Sequence, residues 1–89
     1  MSRAAKTLAK MRNNPQGWRL DQVISLCQAY EACGVICRPP KRGSHYKVAH
    51  PAIEGILTIP ADRPIKPVYI KMLVDFIDTV TDIIGEKCH

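Results

Sequence analysis

The sequence predicts an α+β domain in the order α-β-β-β-α, with a three-stranded antiparallel sheet and a helical extension in front of it. Three observations lead there. Apolar residues recur at helical spacing over about residues 20 to 33 and again over 67 to 84, three short β-prone runs lie between them, and proline or glycine bounds each run. In the first body helix Leu20, Val23, Ile24, Cys27 and Tyr30 form the stripe, and Asp21 suits the N-cap or the first turn. Gly34 supplies the stop, because glycine readily takes the left-handed conformation of a helix C-cap.

Val35-Ile36-Cys37-Arg38 reads as the first strand, ended by Pro39-Pro40, neither of which can donate to a ladder. From Ser44 to His50 the side chains alternate. Ser44, Tyr46, Val48 and His50 share one side, with Tyr46 and Val48 toward the core, while His45, Lys47 and Ala49 share the other. Pro51 to Gly55 is expected as a loop and Ile56-Leu57-Thr58-Ile59 as the third strand, closed by Pro60. Pro67 fits the first turn of the last helix, Ile70, Leu73, Ile77, Val80 and Ile84 make its apolar stripe, and Gly85 ends it. That stripe and the first body helix cover one face of the sheet.

Residues 1 to 19 form the basic N-terminal extension and residues 20 to 85 the domain proper. A short helix is expected over 2 to 12, with Leu8 and Met11 on a weak stripe, then a break at Asn13 to Gly17, after which Trp18 anchors the extension. The domain is expected to fold without residues 1 to 17.

At 89 residues the chain has room for one core, and 46% hydrophobic with 24% charged residues is an ordinary globular balance. No apolar run reaches membrane-spanning length, and MSRAAKTLAKMRNN lacks the continuous apolar segment of a signal peptide, so a cytoplasmic location is expected. The formal charge of +5 is uneven: Arg3, Lys6, Lys10, Arg12 and Arg19 precede residue 20 with no acid among them, whereas Asp75, Asp78, Asp82 and Glu86 face a single Lys87 at the other end. A basic end suits a polyanion or an acidic protein, and the acidic helix is better placed away from a nucleic-acid backbone.

Cys27, Cys33, Cys37 and Cys88 match no zinc or redox spacing and are expected as small reduced core thiols. His45 and His50 lie on opposite sides of the strand, which argues against a shared metal. No cofactor is expected.

The stretch Lys41-Arg42-Gly43-Ser44-His45-Tyr46-Lys47 sets one imidazole at a turn-to-strand junction with three cations close by in sequence. A histidine, with an ordinary pKa of about 6.5, exchanges protons near neutral pH, and the cations can hold a phosphodiester against it. His45 is the candidate general base, acting on a ribose 2′-hydroxyl, which makes the nucleophile part of the substrate. Lys41, Arg42 and Lys47 are the candidates to stabilise charge at phosphorus. Gly43 serves the turn, and Ser44 caps it or binds phosphate, with no aspartate nearby to complete a triad. Tyr46, Lys47 and a second use of His45 are the possible proton donors to the leaving oxygen. His50 is read as structural or exposed.

GSHYKVAHP, the following TIP and then IKPVYI, in this order after a helix, resemble the HicA family of toxins over roughly residues 20 to 80. The resemblance implies a fold like the double-stranded-RNA-binding domain and an mRNA interferase, the endoribonuclease of a type II toxin-antitoxin system. It also implies RNA as substrate, a HicB-like antitoxin as partner, and His45 as the catalytic histidine. The basic extension and the long acidic last helix depart from the compact family pattern. A noncatalytic RNA-binding or protein-binding module of the same fold is the competing expectation.

Overall fold

The computed structural model of the chain describes residues 3–40, 45–61 and 64–85. It is a small α+β fold with three helices and one three-stranded antiparallel sheet. Helix α1 spans Arg3–Asn13, α2 Leu20–Ala29, β1 Ile36–Arg38, β2 His45–His50, β3 Ile53–Pro60 and α3 Pro67–Ile84. Sheet order follows chain order, β1-β2-β3, and both pairings are antiparallel. No helix among the described residues is long and apolar enough to cross a membrane.

Helix α2 is shorter than its apolar stripe suggests. Its α-helical hydrogen bonding stops at Ala29, after which Tyr30 N–H donates to Cys27 O and Glu31–Cys33 form a single 3-10 turn. The tighter turn carries the chain to Gly34, which sits at φ 93°. At the other end Arg19, rather than Asp21, occupies the N-cap, and its N–H donates to Gln22 Oε1 at 2.9 Å. Strand β3 begins three residues earlier than its β-branched run, at Ile53. His50 pairs with Ile53 and Val48 with Leu57, so β3 carries extra residues at that point, with Gly55 among them at φ 82°. A bulge of this kind uses glycine because other residues resist positive φ.

The alternation expected for β2 is present. Tyr46, Val48 and His50 are buried, and His45 and Lys47 are exposed. Tyr46, Val48 and Ile59 join Val23, Leu26 and Cys27 of α2 and Ile70, Leu73, Ile77 and Val80 of α3 in one core. All helical packing is therefore on one face of the sheet, and the opposite face is left without a helix over it.

Leu8 and Met11 of α1 belong to that same core, Met11 being 1% exposed. The break after α1 is held by Trp18, whose Nε1–H donates to Asn14 O at 2.7 Å and whose carbonyl accepts from Ile65 N–H. Arg12 makes an ion pair with Asp78 of α3. The basic segment thus lies against the acidic helix instead of at the far end of the molecule, because its apolar stripe has a place in the core. Helix α1 accordingly contributes to stability. We predict that Met11→Ala costs about 2 to 5 kcal/mol, the range for emptying a buried methionine site, read from the urea midpoint.

Gly34 is constrained twice. Beyond its positive φ, a Cβ there would lie 2.9 Å from His50 Nε2. That ring cannot easily retreat, because Nδ1 accepts from Ala52 N–H at 3.0 Å and Nε2 donates to Cys33 O at 2.9 Å. We predict that Gly34→Ala destabilises by about 2 kcal/mol or more, with an equal loss whether read by helical signal or by tryptophan fluorescence.

Candidate active site

His45 opens β2 with its side chain on the helix-free face. Its cross-strand neighbour is Pro60, and two residues further on Lys47 pairs with Thr58 on one side and Arg38 on the other. Residues paired directly across strands project from the same face, so Arg38, Lys47 and Thr58 form a row across all three strands. With strands about 4.8 Å apart, that row is about 10 Å wide, and His45 stands about 7 Å from Lys47 along the strand. These four side chains, with Cys37, Pro39 and Pro40, line an open groove of about 990 Å³ with no carboxylate among the described residues of its wall.

His45 and Lys47, singled out from the sequence, are thus brought together. Lys41, Arg42, Gly43 and Ser44 lie outside the described residues. Arg38 is a functional candidate that the sequence alone placed only at the end of the first strand, with no role in the site. What places it here is the register of the hairpin, in which Arg38 pairs with Lys47. Once the link between β1 and β2 is known to be residues 39 to 44, that pairing can be counted off the chain.

Tyr46 sits between the two exposed residues, yet it is 1% exposed and faces the helices. Below the sheet its hydroxyl lies beside the Cys37 thiol, which also neighbours Cys27 and Glu31. Burial holds the Tyr46 hydroxyl well above its ordinary ionisation range, and the bond to Cys37 adds to this. A phenol so placed cannot reach a phosphate in the groove, which leaves Lys47 and His45 itself as possible donors to a leaving oxygen. These side chains come from α2, the 3-10 turn, β1 and β2 and gather beneath the strand from which His45 and Lys47 project.

His50 is structural, with both ring nitrogens bonded to backbone. Cys27 and Cys37 are free thiols, as expected, whereas Cys33 is disulfide-bonded, so the expectation of reduced core thiols does not extend to it. Beneath the other side of the molecule, a smaller groove of about 370 Å³ runs between α1 and α2, past Trp18 and Asp21.

No family model, curated protein or solved structure matches this chain.

Burial pushes the Cys27 thiol from 9.0 up to about 12, the neighbouring Cys37 acting in the same direction, and burial raises Cys37 as well. In the unfolded chain such a thiol ionises near 9, whereas the folded protein keeps it protonated to about 12. The unfolded state therefore gains as pH rises through this interval. We predict that stability holds below pH 9 and falls above it, at up to about 1.4 kcal/mol per pH unit for one group. Cys27→Ala should flatten the slope in urea melts run from pH 8 to 11.

Proposed function

We propose that this protein is an RNA-cleaving toxin of the HicA type, a metal-independent endoribonuclease acting on mRNA. The observation that supports it most is that His45 and Lys47 stand exposed together on the helix-free face, in one groove with Arg38. The element order supports a fold like the double-stranded-RNA-binding domain, and within the sequence motifs HYKVAHP falls on β2 with the turn after it and TIP on the end of β3.

In this reading His45 takes the proton from a ribose 2′-hydroxyl. The 2′-oxygen bonds to the adjacent phosphorus, the bond from phosphorus to the 5′-oxygen breaks, and the products are a 2′,3′-cyclic phosphate and a 5′-hydroxyl. The proton required by the 5′-oxygen comes from protonated His45 or from Lys47. Lys47 and Arg38, with Lys41 and Arg42 from the turn, offset the charge that builds on the phosphoryl oxygens. Ser44 and Gly43 bind and shape the phosphate end of the site. A HicB-like antitoxin is the partner that holds such an activity in check, and the cytoplasm is where mRNA would be met. The disulfide at Cys33 is the feature that weighs against a reducing compartment.

Replacing His45 with Ala is the decisive experiment. The side chain is exposed, so the variant folds, and cleavage of a test RNA is expected to fall by about 100-fold or more. Parent protein should leave cyclic-phosphate ends, work equally in EDTA, and spare a strand with a single 2′-deoxyribose at the cut. A His45→Ala protein that cleaves at the parent rate and still arrests growth removes His45 as catalyst. Binding without cleavage by the parent protein identifies a noncatalytic module instead.

A further inference from the structure

Two cations directly opposite one another on neighbouring strands repel, and such a pair costs stability when nothing intervenes. Arg38 and Lys47 are such a pair, both exposed, with Thr58 completing the row and no carboxylate among the described residues of the groove wall. The arrangement is relieved by an anion lying between the two. Continuing away from His45 on the same face, the next row is apolar: Ile36 pairs with Ala49, and Ile56 stands beyond on β3, with Ile36 39% and Ile56 54% exposed. Glu54, the nearest acid along β3, lies two residues past Ile56, at the far end from the cations.

Resting on the reading above, we infer that the helix-free face of the sheet is a single-strand RNA platform, with Arg38 and Lys47 sharing one phosphate and Ile36, Ala49 and Ile56 receiving the adjoining base. A duplex fits poorly. Double-stranded RNA is gripped across two successive minor grooves by contacts spread over about 16 base pairs, whereas this basic row is only about 10 Å wide. On the helical side, Arg12 is engaged with Asp78 and Arg19 with Asp21. An unpaired strand instead offers a phosphate and an unstacked base a short distance apart, matching a basic row beside an apolar one. Because no described aromatic ring or amide side chain lies among these residues, the base is held by burial of its face and not by its edge. Binding is therefore steeply salt-dependent and tolerant of sequence.

The test measures binding separately from cleavage. In a His45→Ala background, fluorescence anisotropy follows a labelled eight-nucleotide single-stranded RNA, the same strand annealed to its complement, and a second strand of unrelated sequence. Adding Arg38→Ala is expected to weaken single-strand binding about 10-fold and to lower the slope of log affinity against log salt by about 0.7, the loss of one phosphate contact. Arg38→Gln should do the same, and Ile56→Gln should weaken binding several-fold with the slope unchanged. The duplex should bind more weakly than the strand, and the two sequences alike. Arg38→Ala protein that keeps both affinity and slope, or a duplex bound as tightly as the strand, overturns the inference. Absence of any RNA binding overturns it too and leaves the face to a protein partner. If His45→Ala cleaves normally while Arg38→Ala loses binding, the catalytic reading fails and the platform stands.

Discussion

Every property of the candidate site depends on the alternation of β2. Tyr46, Val48 and His50 are drawn under the sheet by the apolar faces of α2 and α3, and a strand cannot bury one set of side chains without presenting the other. His45 and Lys47 are exposed for that reason. A slip of one residue would exchange the sets, sealing the imidazole in the core and turning a tyrosine to solvent. Register is secured by more than apolar burial, since His50 is bonded to backbone at both ring nitrogens. These contacts spend polar groups in the interior to hold one strand in one frame.

Because the helices lie on a single face, the molecule separates structural and chemical duties across the thickness of the sheet. The layer below holds the core, the acidic α3 and the thiols beside the Tyr46 phenol. Above it stand the cations, the histidine and a few aliphatic side chains. The acids of α3 are on the helical side, and one of them, Asp78, is engaged with Arg12. In the groove on the open face a polyanion meets Arg38, Lys47 and His45, and no carboxylate among its described lining residues. The uneven distribution of charge along the sequence is instead drawn together on the helical side, where the basic extension is folded back onto the acidic helix.

Much of the site was legible beforehand. The placement of His45 with Lys47 on one side of β2 and the burial of Tyr46 both follow from period-two alternation. Arg38 was not legible, because a residue at the end of a three-residue strand acquires a neighbour only when the hairpin register is set. The early start of β3 was hidden for a related reason: Pro51 to Gly55 reads as a turn, and pairing with β2 draws part of it into the ladder around a positive-φ glycine. The stop of α2 at Ala29 was likewise hidden, since the 3-10 turn keeps apolar residues at nearly helical spacing.

By itself the sequence determined the order of helices and strands and which side of β2 faces out, because those follow from the spacing of apolar residues and from the local chemistry of glycine and proline. Tertiary structure decided which residues meet. It brought Arg38 opposite Lys47, set Cys27, Cys37 and Tyr46 in contact beneath them, and docked α1 into a core shared with α3. Those are contacts between segments distant along the chain, fixed by strand register and by competition for buried area, and neither quantity is carried by any single stretch of residues.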